Sequence, residues 1–112
     1  MGLFRQIPEV DPRSAAEKLT NGAVALDVRE HDEWGAGRIA GALHIPMGEL
    51  VLRQAELPRD RSIVAVCRSG NRSAAVTEAL VRGGYEAENL AGGMQAWKAA
   101  GLPMEPPDGY VA

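Results

Sequence analysis

The chain has 112 residues, a formal net charge of −3, 46% hydrophobic and 24% charged residues, one cysteine and two histidines. That length and composition describe one soluble globular domain with a single core, and the acidic balance argues against a general nucleic-acid surface. One cysteine excludes an internal disulfide, a CxxC dithiol and a multi-cysteine zinc site.

No apolar run reaches the length of a membrane span, and residues 1–6 lack the apolar stretch of a signal peptide. Gly2 follows Met1 as in myristoylated chains, but Gln6 stands where that motif wants Ser or Thr. A reducing cytoplasm is the expected compartment, one that keeps a lone thiol usable.

In chain order, residues 5–10 read as a short edge strand. Asp11 as N-cap and Pro12 at the first helical position open a helix. Ala15, Ala16 and Leu19 give it an apolar stripe, and Asn21-Gly22 stops it. Residues 23–28 are almost continuously apolar, which predicts a strand of a parallel sheet covered on both faces. Asp27 interrupts that run. A buried aspartate needs partners, and Arg29 or the next loop's amides can supply them. A structural pin at the sheet's carboxyl edge is therefore expected rather than a catalytic group.

Residues 30–37 predict one or two helical turns, with Trp34 in packing and His31 solvated. Residues 41–46 predict a short strand halted by Pro46. His44 has no metal-spaced partner, so it is expected to be a hydrogen-bonded structural residue, and no metal site is expected. Residues 47–55 predict a helix with Leu50 and Val51 inward, followed by a charged turn over residues 57–61. Residues 62–66 predict a strand that ends at Cys67.

After the cysteine, residues 73–82 predict a helix ended by Gly83-Gly84. Ala74 and Ala75 are small enough to let it lie close to the sheet. Residues 85–90 predict the last strand. Ala91-Gly92-Gly93 turns into a helix over residues 94–100, where Met94, Trp97 and Lys98 share a face and Met94 and Trp97 are core. No GxGxxG or GxxxxGK pattern accompanies the paired glycines, which read as a tight strand-to-helix turn. The domain is expected to span residues 1–103, with a tail over residues 104–112 that is surface-bound or mobile. Strands and helices alternate throughout, so the class is α/β with a mainly parallel sheet. Ligands in such sheets sit beyond the carboxyl ends of strands, where Cys67 and Asp27 fall.

The chemistry concentrates in Cys67-Arg68-Ser69-Gly70-Asn71-Arg72-Ser73. Strand, tight loop and helix form the geometry that aims backbone N–H groups at an anion. Here the anion can be the cysteine's own thiolate. A free cysteine, with a pKa of about 8.5, is only roughly 3% ionised at pH 7. The field at a helix start contributes about 0.3–2 kcal/mol, up to about 1.5 pKa units. Arg68 and Arg72 push the same way if they lie near the sulfur. Between Arg61 and Thr77 there is no acidic residue and there are three arginines, a local field suited to a small anionic substrate. No dedicated base is evident nearby.

Four stretches together resemble single-domain rhodaneses, a family of sulfurtransferases. They are Leu26-Asp27-Val28-Arg29-Glu30 with Glu33-Trp34; Gly37-Arg38-Ile39-Ala40-Gly41-Ala42 with Ile45-Pro46; the loop Cys67 to Ser73; and Gly92-Gly93-Met94-Gln95-Ala96-Trp97 with Gly101-Leu102-Pro103. Histidine often stands in the family at Arg38 and proline at Ala40, departures that touch no catalytic group. The resemblance implies a three-layer fold with a five-stranded, mainly parallel sheet and helices on both faces. It implies a Cys67 persulfide formed from thiosulfate and passed to a thiophilic acceptor by ping-pong kinetics, without a cofactor. Arg68, Ser69, Gly70, Asn71, Arg72 and Ser73 would then surround the sulfur and bind the donor, with Asp27 and Arg29 as structural support.

Two other readings share the same cysteine. A thiol phosphatase or arsenate reductase on this fold places Arg six positions after Cys. Here that position is Ser73 and Arg72 comes one early, a shorter loop that crowds a tetrahedral phosphate. A non-enzymatic persulfide carrier or docking module, loaded by a partner protein, would keep the same residues.

Overall fold

The computed structural model describes residues 7–112. It contains β1 (Glu9–Val10), α1 (Pro12–Thr20), β2 (Val24–Asp27), α2 (His31–Ala36), β3 (Leu43–His44), β4 (Ile63–Val66), α3 (Asn71–Arg82), β5 (Ala87–Leu90) and α4 (Gly93–Ala99). The strands form one sheet in the order β1-β5-β4-β2-β3, all neighbours parallel. This is the five-stranded parallel α/β architecture expected of the sequence. Residues 1–6, including Arg5 and Gln6 of the expected first strand, lie outside the described residues.

The central strand β4 is buried along its whole length, so its side chains feed two cores at once. Ile63 and Ala65 join Leu26, Val28, Ile45, Val76 and Leu80 on the side covered by α3. Val64 and Val66 join Val10, Ala15, Leu90, Met94 and Trp97 on the side covered by α1 and α4. Asp27 pairs in register with Val66, so both strands end together at the edge where Cys67 lies.

Local signals set most element ends. Asp11 accepts from the Ser14 N–H at 3.2 Å, Pro12 occupies the first turn of α1, and Asn21 caps its end before Gly22 at φ 104°. β2 ends at Asp27, one residue short of its apolar run, yet Val28 stays fully buried and its N–H still donates to Val66 O at 3.0 Å.

One expected helix is absent. Residues 47–55 instead form two 3₁₀ turns, Met47–Glu49 and Gln54–Glu56. Pro46, at the cap, has no side-chain acceptor, and Gly48 weakens the first turn. The entry is held by the Met47 N–H on Val28 O, and Arg53 closes the second turn by bonding to both Glu49 and Glu56. Leu50 does pack against the core, but Val51 points outward at 79% exposed, beside Leu52 at 88%.

Residues 104–112 run across the surface. Arg38 and Glu105 exchange backbone hydrogen bonds of 3.0 and 2.8 Å, and the Tyr110 N–H donates to Ala36 O at 3.0 Å. Gly109 is buried so closely that a Cβ there would meet Ala36 O and the Gly37 Cα at 3.0 Å. Val111 packs against the second core.

Candidate active site

β4 delivers Cys67 to the carboxyl edge of the sheet, and α3 begins four residues later. The turn between them depends on Gly70, the N-cap residue, at φ 102°. Only glycine takes that conformation without strain, and a Cβ there would stand 3.3 Å from the Gly92 N. The turn folds the chain back over the sulfur. Cys67 Sγ accepts hydrogen bonds from the Gly70 N–H at 3.1 Å, the Ser73 N–H at 3.4 Å and the Ser73 hydroxyl at 3.2 Å.

Cys67 is 1% exposed. Burial pushes its pKa up, but the Ser73 hydroxyl and the amides of Ser73, Gly70 and Ser69 together outweigh it and hold the thiol below its ordinary value. The site therefore favours an ionised sulfur through hydrogen bonds rather than through a base.

A second helix shapes the loop from behind. The Met94 and Gln95 N–H groups of α4 donate to Cys67 O at 2.8 Å and Arg68 O at 3.0 Å. With those carbonyls turned away, the loop's own N–H groups face the sulfur. The approach requires Gly93, at φ 60°, where a Cβ would fall 2.5 Å from Cys67 O and 2.6 Å from Arg68 O.

The two loop arginines are both engaged elsewhere. Arg72 forms a bidentate pair with Glu33 of α2, each N···O distance being 2.8 Å. Against the opposing effect of burial, that guanidinium and the Glu30 N–H hold the Glu33 carboxyl down at about 2. Glu33 in turn keeps Arg72 charged, with a smaller contribution from Cys67. Arg68 is exposed and its Nε donates to Ala112 O at 2.9 Å. Ser69 and Asn71 are exposed, while Gly70 and Ser73 are buried.

Asp27 and Arg29 do not touch the sulfur. They form a buried bidentate pair: Nε donates to Oδ1 at 2.9 Å and Nη2 to Oδ2 at 2.8 Å, with the Arg29 N–H on Oδ1 at 3.0 Å. Arg29 Nη2 also donates to Gly37 O at 2.8 Å, which ties the loop after α2 to the sheet edge. His44 Nε2 bonds Arg29 O at 2.7 Å and its ring stacks on Trp34 at 4.5 Å, so both residues serve packing. His31 stays largely exposed, 3.7 Å from Glu49.

Sequence reasoning assigned no role to Glu33 or Asn89 and read Gly93 only as part of a turn. Asn89 carried a usable signal, a polar side chain inside a buried strand, the same signal that singled out Asp27. Among the described residues no group of three or more His, Cys, Asp or Glu could hold a metal, and no helix is long and apolar enough to cross a membrane. An apolar groove of about 360 Å³, lined by Leu50, Leu57, Val76, Leu80 and Tyr85 among others, runs beside α3 and does not include Cys67.

The chain is similar to known proteins over most of its length. The chain is 38% identical over 106 residues to a sulfurtransferase from Allochromatium vinosum, covering 92% of this chain and 99% of that one. It is 31% identical over 99 residues to the thiosulfate sulfurtransferase GlpE from Actinobacillus succinogenes, covering 87% of this chain and 89% of the relative. Its structure resembles that of a rhodanese-related protein from Thermoplasma volcanium, with a TM-score of 0.82, 34% identity, and coverage of 87% and 96% of the two chains. Residues 11–100, the whole stretch from the cap of α1 to the end of α4, match the rhodanese-like domain, and the chain belongs to that family.

Proposed function

We propose that the protein is a sulfurtransferase that moves sulfane sulfur from thiosulfate or a related donor to a thiophilic acceptor through a Cys67 persulfide. The observation that carries this reading is the cup around Sγ, with donors at 3.1, 3.2 and 3.4 Å and the pKa held down. Similarity to named sulfurtransferases supports it.

In the first step the Cys67 thiolate attacks the outer sulfur of thiosulfate. A new S–S bond forms, the donor's S–S bond breaks, and its electron pair leaves with sulfite. In the second, an acceptor such as cyanide or a thiolate attacks the outer sulfur of the persulfide. The Sγ–S bond breaks, its electron pair returns to Sγ, and the thiolate is regenerated within the same donors. Covalent catalysis of this kind gives ping-pong kinetics. Arg68, exposed at the rim, supplies charge-assisted contacts to the donor's sulfonate. Arg72, engaged by Glu33, holds the loop in shape. Ser69, Gly70, Asn71 and Ser73 present main-chain donors to the transferred sulfur.

Intact-mass analysis after incubation with thiosulfate tests this. The expected result is a gain of one sulfur atom on the wild type, none on Cys67→Ala, and thiocyanate release on adding cyanide. Thiosulfate turnover unchanged in Cys67→Ala overturns the proposal. A sulfur gain only from a protein persulfide would instead mark a carrier in a relay, and hydrolysis of an aryl phosphate a phosphatase.

A further inference from the structure

The Ser73 hydroxyl has one proton and two acceptors. Its oxygen lies 2.6 Å from Asn89 Oδ1 and 3.2 Å from Cys67 Sγ. Asn89 is 1% exposed, so its amide has no solvent to fall back on. The orientation of that amide is set by its other end: Nδ2 donates to Gly70 O at 3.1 Å and to Glu9 Oε2 at 3.3 Å. A flipped amide would turn its oxygen against a carbonyl and a carboxylate, so Oδ1 faces Ser73.

We propose that Asn89 is a positioning residue for sulfur transfer: it holds the Ser73 hydroxyl while Sγ is neutral and yields it when Sγ carries charge. With a neutral thiol, Sγ–H donates to Ser73 Oγ, the hydroxyl donates to Asn89 Oδ1, and every group is satisfied. Neutral sulfur is a weak acceptor and competes poorly with a carbonyl at 2.6 Å. With a thiolate, charge draws the hydroxyl onto Sγ and leaves Asn89 Oδ1 buried without a donor. Asn89 thus opposes ionisation through Ser73 while it supports the loop through Gly70.

The transfer steps make use of that competition, a part of the inference that rests on the persulfide reading. In the persulfide the inner sulfur is neutral again, and the hydroxyl returns to Asn89. As an acceptor thiolate bonds to the outer sulfur and the Sγ–S electron pair moves to Sγ, the hydroxyl swings back to meet the new charge. No proton changes owner; one hydrogen bond changes direction.

The charged groups around this relay are Glu9 of β1 on Asn89 Nδ2, Arg72 of α3 with its partner Glu33 of α2, and Arg68 on the loop. Of these Arg72 interacts with the sulfur directly, and none of them needs the Ser73 hydroxyl to exert its field. The Asn89 effect acts only through it, so a double-mutant cycle isolates it.

The test is titration of the Cys67 thiolate by its ultraviolet absorbance in the wild type, Ser73→Ala, Asn89→Ala and the double variant. Ser73→Ala should lower the ionisation constant. Asn89→Ala should raise it about three- to tenfold, one hydrogen bond's worth, and should have no such effect in the Ser73→Ala background. A lower ionisation constant in Asn89→Ala, or an equal shift in both backgrounds, overturns the proposal and leaves Asn89 a support for Gly70 alone. If a variant fails to fold, the wild type decides. The ¹³C resonance of the Asn89 side-chain carbonyl should move with the same midpoint as the Cys67 titration, and a resonance that stays still across it overturns the inference. These readouts need no sulfur donor, so their outcome is independent of whether thiosulfate loads Cys67.

Discussion

Cys67 and Glu33 are both acids whose ionised forms the fold favours, and each carries a pH signature. Sulfur loading should accelerate with pH while the thiol is protonated and level off below the ordinary thiol pKa, since hydrogen bonding outweighs burial. In Ser73→Ala the plateau should move to higher pH, measurable as the inflection in kcat/KM for thiosulfate against pH. For Glu33 the folded pKa is about 2 against an unfolded 4.5, so the Arg72 pair stabilises fully above about pH 4.5 and progressively less as pH falls toward 2. Glu33→Gln should therefore cost about 1–2 kcal/mol near neutral pH, discounted for the partial exposure of Arg72, and the gap to wild type should close on acidification. Urea denaturation at several pH values reads this directly. Asp27→Ala should cost more, about 3–5 kcal/mol, because it strands a fully buried Arg29.

At the scale of elements, the loop is formed by two helices rather than one. α3 supplies the Ser73 N–H and hydroxyl to the sulfur, and α4 takes up the carbonyls that would otherwise compete. Gly93→Ala places a methyl group where Cys67 O and Arg68 O now stand and asks alanine to hold φ 60°. The expected outcome is a loss of about 2–4 kcal/mol in thermal stability and at least about a tenfold drop in sulfur loading, read by calorimetry and intact mass. The sequence made α3 legible through its small residues and closing glycines, and Gly92-Gly93 legible as a turn. It did not show that the turn presses on the Cys67 carbonyl. The helix expected over residues 47–55 failed for a related reason. Its apolar spacing was adequate, but Gly48, the bare proline cap and the tie of Met47 to Val28 replaced it with two 3₁₀ turns.

Across the whole molecule, residues 104–112 link α2, α4 and the loop after Cys67: Tyr110 N–H to Ala36 O, Lys98 Nζ to Gly109 O, and Arg68 Nε to Ala112 O. A chain truncated after Pro103 should lose about 2–3 kcal/mol, mainly the packing of Met104 and Val111, and should show a raised KM for thiosulfate with Arg68 untethered. An unchanged melting temperature and KM would count against a role for this segment. By itself the sequence determined the α/β class, the parallel sheet, the caps of α1, the need of Asp27 for a nearby partner and the place of Cys67 at the sheet's carboxyl edge. Those follow from periodicity, cap chemistry and short spacings, which act between neighbours in the chain. Only the tertiary structure decided that Arg72 meets Glu33 across 39 positions, Ser73 meets Asn89 across 16, and Arg68 meets Ala112 across 44. Such meetings depend on strand order and register, and no local pattern of residues encodes which distant side chain a folded sheet will bring alongside.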